Sequence, residues 1–191
     1  MDHSSIPMTL IQLSEAKMNY INQTYTLKIE RGQSIMISGE NGSGKSTLIR
    51  LILGFIVPDQ GKVLRKKVKI SYLPEQVSLP PFIKVKAYLE GFAGVKKAMI
   101  DWELIEIFDL PLHKSIHELS KGNLQKLGII LTLMGDADLL IFDEPLTALD
   151  ESMKDRFINH LVTLKEKGIG CVISSHEPSR FVSIIDEHII L

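Results

Sequence analysis

Apolar positions along this chain follow two different periods. Thr9-Leu10-Ile11-Gln12-Leu13 and Tyr25-Thr26-Leu27-Lys28-Ile29 alternate apolar with polar residues, which predicts two antiparallel strands with one buried face. Ser34-Ile35-Met36-Ile37-Ser38, Leu139-Leu140-Ile141-Phe142 and Gly170-Cys171-Val172-Ile173-Ser174 are continuous apolar runs, read as buried strands of a parallel sheet. Ile189-Ile190-Leu191 suggests a last strand. Helical character is expected for Leu48 to Leu53, from Val85 through Phe108, from Ser120 to about Met134, and from Glu151 to Lys167. The last of these places Met153, Phe157, Leu161 and Leu164 on one face and closes at Gly168. Gly54 suits the end of the first helix, and Pro58 to Gly61 a turn. Lys62-Val63-Leu64 and Val68 to Tyr72 predict two short strands around Arg65-Lys66-Lys67, a solvated hairpin turn.

The segment 74–118 changes character. It opens with Pro74, Pro80 and Pro81 and carries Tyr88, Leu89, Phe92, Trp102, Leu104, Ile105 and Phe108. These bulky residues are expected to form the core of a small helical subdomain. The whole chain, 1–191, is then one domain. Its α/β core comprises 1–73 and 119–191, with a helical insert at 74–118 that extends into the helix starting at Ser120. The fold class is α/β with an antiparallel β subdomain, and Gly39 to Thr47, a Gly-rich turn between strand and helix closed by Gly44-Lys45-Ser46, makes its sheet core that of a phosphate-loop NTPase.

The chain has 191 residues, 45% hydrophobic, and a formal net charge of -1. No global basic field argues for nucleic acid, and no such partner is expected. A single cysteine, Cys171, excludes an intrachain disulfide and sits in an apolar run as a small core residue. The first residues lack the basic start and apolar core of a signal peptide. No uncharged apolar run reaches bilayer-spanning length.

Candidate chemistry begins at Gly39-Glu40-Asn41-Gly42-Ser43-Gly44-Lys45-Ser46-Thr47, between a buried strand and a helix. Glycines there let main-chain N–H groups approach phosphate oxygens, and the helix N-terminus adds orphan donors and partial positive charge. Lys45 is expected on the β- and γ-phosphates and the Ser46 hydroxyl on Mg²⁺. Asp143 and Glu144 end a second buried strand, which topology brings to the same sheet edge. Asp143 fits a magnesium ligand, and Glu144 a base that polarises the attacking water.

Leu119-Ser120-Lys121-Gly122-Asn123, at a helix start some twenty residues before Asp143, resembles the LSGGQ signature of ABC ATPases. Pro74-Glu75-Gln76 resembles that family's glutamine loop, Leu146 to Asp150 its D-loop, and His176 its switch histidine. Tyr20 stands about where the family stacks an aromatic ring on adenine. Lys121 replaces a signature glycine and Asn123 its glutamine. Glu75 occupies the usual glutamine position, with Gln76 one residue later, and either remains a candidate magnesium contact. His3, His113, His117, His160 and His188 lack such support and read as surface residues. The motifs end soon after His176, so no appended regulatory domain is expected.

This resemblance implies a subunit that binds and hydrolyses ATP and uses Mg²⁺. It also implies a second ATP-binding subunit whose Ser120 and Gly122 face the γ-phosphate across a dimer interface, either homo- or heteromeric. An integral membrane transporter subunit would be the other partner. The chain would then be cytoplasmic, peripheral to the inner face of the cell membrane. The signature variant and the Tyr72-Leu73-Pro74-Glu75 run resemble exporter cassettes for drugs or peptides. The alternative is a soluble ABC-type ATPase acting on ribosomes or DNA. The apolar Val77 to Ile83 segment either packs the helical lobe or borders the groove that receives the membrane partner.

Overall fold

The computed structural model describes residues 8–191. In chain order the elements are β1 (Thr9–Lys17), β2 (Thr24–Glu30), β3 (Ile35–Ser38), α1 (Lys45–Leu53), β4 (Gln60–Arg65) and β5 (Ile70–Leu73). There follow α2 (Val85–Lys96), α3 (Trp102–Ile107), α4 (Lys121–Leu133), β6 (Leu139–Asp143), α5 (Glu151–Glu166), β7 (Gly170–Ser174) and β8 (Glu187–Ile190). One sheet is antiparallel, in the order β2-β1-β4. The other is parallel, in the order β5-β6-β7-β3-β8.

The apolar runs are continuous because the parallel sheet is covered on both faces. Successive side chains point to opposite faces. Ile35, Ile37, Leu139, Ile141 and Val172 therefore join a core with Leu48, Ile49, Leu51 and Ile52 of α1 and the inner face of β1 and β2. Met36, Leu140, Phe142, Cys171 and Ile173 enter a second core with α2, α3, α4 and α5. In that second core Phe142 meets Phe157 edge-on, with ring centroids 5.3 Å apart. Burial pushes the Cys171 thiol up to about 11, so the thiol is a packed apolar group.

Several expectations change. Residues 62–72 do not form a hairpin: β4 pairs with the outer edge of β1, and β5 pairs with β6 in the other sheet. The basic segment between them is a crossover. Arg65 is not simply solvated either, since its guanidinium donates to the carbonyls of Leu51 and Ile52. Those groups have no partner within α1, whose end is also closed by left-handed Gly54.

The helical stretch expected over 85–108 consists of two helices, α2 and α3. Lys97 takes a left-handed conformation, φ 53°, and Asp101 caps α3 by accepting from the Leu104 N–H. Leu89, Leu104, Ile105 and Phe108 are buried, but Trp102 is 50% exposed and is not a core residue. It stands at the first position of α3. Phe82 is 83% exposed, resting against the His117 ring with centroids 5.5 Å apart, and is not a core residue.

Among the expected surface histidines, His113, His117 and His188 are exposed and His160 is half-buried, its pKa lowered by desolvation. His3 lies outside the described residues. No helix among the described residues is long and apolar enough to cross a membrane.

Phe157 is fully buried at the contact of α5 with β6. Phe157→Ala is expected to lower unfolding stability by about 3–5 kcal/mol, read from the denaturant midpoint at constant m-value.

Candidate functional site

Ser38 ends β3, and Gly39 turns the chain into the loop that wraps the N-terminus of α1. Gly44 sits at the helix N-cap with φ 106°, and its carbonyl accepts from the Tyr25 hydroxyl at 3.0 Å. A Cβ there would fall 2.2 Å from that hydroxyl oxygen, so glycine is required by both conformation and space. Burial pushes the Tyr25 phenol up to about 12, which keeps it a neutral donor. Lys45 folds back over the loop and donates to the carbonyls of Gly39 at 2.7 Å and Glu40 at 3.0 Å. The Ser43 hydroxyl is buried with no hydrogen-bond partner among the described residues.

β6 delivers the acids to the same edge. The Asp143 carboxylate is buried and accepts from the Ser174 hydroxyl at the end of β7. Burial raises its pKa, while Ser174 and Lys45 act in the opposite direction. The main-chain N–H of Glu144 donates to the Ser174 carbonyl at 3.1 Å and reaches its hydroxyl at 3.2 Å. One buried serine thus orders both acids.

Glu144 itself has φ 51°, a left-handed conformation that a side chain of this kind rarely adopts. That strain is held by the Ser174 contacts and by Gln125, whose amide donates to the Pro145 carbonyl at 3.1 Å. Glu144 Oε2 accepts from the His176 main-chain N–H at 3.2 Å. His176 Nε2 lies 3.4 Å from Oε1 but without hydrogen-bond geometry, leaving Oε1 buried with no hydrogen-bond partner. Burial raises the Glu144 pKa, with the His176 N–H partly opposing it. A raised pKa and a free oxygen lone pair suit a proton acceptor.

These residues enclose a cleft of about 310 Å³ lined by Ile21, Asn41, Gly42, Gly44, Lys45, Ser46, Thr47, Glu75, Asp143, Glu144 and His176. The lining brings Glu75 to the phosphate loop. Gln76 instead lines a separate cleft with Lys121, Gln125 and Thr147. Tyr20 is 66% exposed and not part of the lining, whereas its neighbour Ile21 is.

Ser120 and Gly122 stand apart from this cleft, at the start of α4. Ser120 caps that helix by accepting from the Asn123 N–H at 3.2 Å. A Cβ on Gly122 would lie 2.7 Å from the Ala148 carbonyl, so this glycine lets α4 meet the 146–150 loop. Sequence reading overlooked Ser174, Tyr25, Ile21 and Gln125. Each acts through a partner 19 or more residues away, so no local spacing marks it.

The donor set fits a nucleotide with its magnesium ion. Hard oxygen donors, Ser46 and Asp143 with Glu75 beside them, face main-chain N–H groups and an ammonium. Mg²⁺ usually takes only one or two carboxylates, with phosphate oxygens and water completing its shell. Among the described residues no group of three or more His, Cys, Asp or Glu side chains could hold a metal alone.

Comparison with known proteins agrees. The family model described as ABC transporter matches residues 22–147. The zinc import ATP-binding protein ZnuC of Pseudomonas fluorescens is 27% identical over 95% of this chain and 73% of its own length. A probable metal transport system ATP-binding protein of Thermotoga maritima is 36% identical over 82% of this chain and 69% of its own. A solved ATP-binding subunit of an ABC transporter superposes with a TM-score of 0.82 at 25% identity, covering 96% and 86% of the two chains.

Charge-assisted hydrogen bonds contribute roughly 1.5–3 kcal/mol each. Lys45→Ala is therefore expected to weaken binding of a fluorescent ATP analogue about tenfold or more. Unchanged affinity would remove Lys45 from the phosphate site.

Proposed function

This chain belongs to the ABC transporter family, and from that premise we propose how its cleft binds and cleaves ATP and what the cycle drives. As the ATP-binding subunit of an ABC transporter it is an ATPase coupled to transport. The observation that carries the residue-level reading is the meeting of Lys45, Asp143, Glu144 and His176 in one cleft.

In this reading the loop N–H groups and Lys45 hold the β- and γ-phosphates. Ser46 and Asp143, with Glu75 as a further carboxylate in the cleft, would hold Mg²⁺, which would supply charge neutralisation across the phosphates. Tyr20 is dropped as the base platform in favour of Ile21. Glu144 orients a water in line with the γ-phosphate and accepts its proton on Oε1. His176, whose ring stands 3.4 Å from that oxygen, contacts the γ-phosphate and keeps Glu144 aimed.

One cleft leaves the far side of the γ-phosphate open. The start of α4 is exposed at Ser120 and Lys121 and offers a hydroxyl, first-turn N–H groups and a helix dipole. A second ATP-binding subunit presenting that turn would close the site, and ATP binding would drive the two together. Gly122 packs on the 146–150 loop, and Gln125 on the acid turn. A shift of α4 is thereby felt at Glu144.

The membrane partner is placed on the helical segment 74–118. Val77, Leu79, Tyr88, Phe92 and Leu131 line much of a groove of about 210 Å³, and Phe82 of the same segment is exposed. A helix end of an integral subunit fits such a groove and would hold this chain at the inner membrane face. Expectation of drug or peptide export is replaced. The relatives named above are a zinc import protein and a metal transport protein. The cargo proposed here is a metal ion moved inward.

Glu144→Gln keeps size and hydrogen bonding but is a far weaker proton acceptor. Hydrolysis should fall about 10²–10⁴-fold while ATP still binds. The variant should then elute as an ATP-dependent dimer on a sizing column, lost with ADP. Hydrolysis at the parental rate would exclude Glu144 as the base.

For the coupled function, vesicles carrying the membrane subunit that co-purifies with this chain, with this chain and ATP both enclosed on the lumenal side, should accumulate Zn²⁺. Phe82→Asp should leave folding and basal hydrolysis intact, since Phe82 is exposed, yet abolish co-purification and uptake. Outward movement of Zn²⁺, or full uptake with Phe82→Asp, would contradict the respective assignment.

A further inference from the structure

The turn after β7 carries a charge cluster that the hydrolysis chemistry above leaves unused. Glu177 follows His176 directly. Its Oε1 accepts from Lys154 Nζ at 2.8 Å and its Oε2 from Arg180 Nε at 2.8 Å, so each oxygen is held by a different cation. Both cations also meet Glu151: Lys154 at 3.1 Å, and Arg180 by a direct hydrogen bond. Arg180 further reaches Asp155 at 3.4 Å. Isolated surface ion pairs contribute little, because holding two long side chains costs entropy. Here the Lys154 side chain is only 13% exposed, and both cations share the same two acids.

The connectivity matters more than the energy. From Glu144 the chain runs through the 146–150 loop to Asp150, which caps α5 by accepting from the Met153 N–H. Glu151 and Lys154 occupy the first turn of α5, a helix anchored by buried Met153, Phe157 and Leu161. The Lys154–Glu177 bond crosses back to the turn after β7. His176 precedes Glu177, and its N–H returns to Glu144 Oε2 at 3.2 Å. The circuit is closed: base, loop, helix, cation, Glu177, histidine, base. The same loop packs against Gly122 of the signature turn.

We propose that Lys154 and Arg180 are positioning residues for ATP hydrolysis: by clamping both oxygens of Glu177 they fix where His176 stands against Glu144. The inference rests on the reading of Glu144 and His176 as the hydrolytic pair. A purely structural cluster would instead stitch α5 to the 3₁₀ turn Pro178–Phe181, with no preference for catalysis.

The test is a double-mutant cycle on the purified full chain. It uses Lys154→Met, His176→Ala and the pair together, with Lys154→Arg as the charge-conserving control. Misplacing a catalytic group by a fraction of an ångström to one ångström costs about tenfold to a hundredfold in rate. Lys154→Met should lower kcat by about that factor while KM for ATP stays within about twofold, the mark of an interaction felt only in the transition state. Lys154→Arg should recover most of the rate. In the His176→Ala background Lys154→Met should have a much smaller effect, because the imidazole they share is gone and only the main-chain N–H of residue 176 still links Glu177 to Glu144. Thermal melting run beside each variant checks that all are folded at the assay temperature.

Multiplying effects of Lys154→Met and His176→Ala would overturn the proposal, as would a parental kcat in Lys154→Met alongside a slow His176→Ala. A parental rate in both Glu144→Gln and His176→Ala would instead overturn the hydrolytic reading, and this inference with it.

Discussion

Two carboxylates held where burial disfavours their charge are the constraint on which the rest of the molecule depends. Asp143 and Glu144 end a strand whose every residue through Asp143 is buried, and desolvation raises both pKa values. Such groups persist only if neighbours compensate them. Ser174 supplies a hydroxyl donor to one acid and an acceptor to the main chain of the other. Lys45 supplies positive charge, and the His176 N–H supplies a donor. The nearby Tyr72 phenol, pushed up to about 12 by burial and by Asp143, stays neutral. A nucleotide-bound cation would complete this compensation. The site therefore stabilises what it is built to receive.

Compensation of this kind needs fixed geometry, and the two cores provide it. α1 is gripped between sheets, so the phosphate loop is mounted on a rigid helix. α4 and α5 pack on the other face with Phe142 and Phe157. The segments that must respond to a partner are the short ones between these supports: the loop at 146–150, the turn after His176, and the start of α4. Gly122 packs on the Ala148 carbonyl, Gln125 donates to the Pro145 carbonyl, and Glu177 is tied to Lys154 in the first turn of α5. A small displacement at the start of α4 has a direct mechanical path to Glu144.

The strongest departures from sequence-based expectation lie at these connections. A run of basic residues between two short strands reads as a hairpin, because local pattern cannot tell which distant strand each one will pair with. Trp102 reads as core because it is large and apolar, yet its position in the first turn of α3 turns it outward. Glu75 and Gln76 are equivalent candidates by spacing, and only the path of the backbone after β5 brings Glu75 into the phosphate cleft. Tyr20 is exposed, and it is its neighbour Ile21 that lines the cleft.

What the sequence by itself determined was the set of features encoded within a few residues. These are the phosphate loop and its helix, the buried strands, the acids at the end of β6, and the capping serine of the signature turn. Each follows from local periodicity or from donors and acceptors a few bonds apart. What only the tertiary structure decided was which groups compensate one another across long separations. Ser174 reaches Asp143, Tyr25 supports Gly44, and Lys154 and Arg180 share Glu177. These are pairings in space between segments whose separation along the chain carries no signal, and packing of two cores against one sheet brings them within hydrogen-bonding distance.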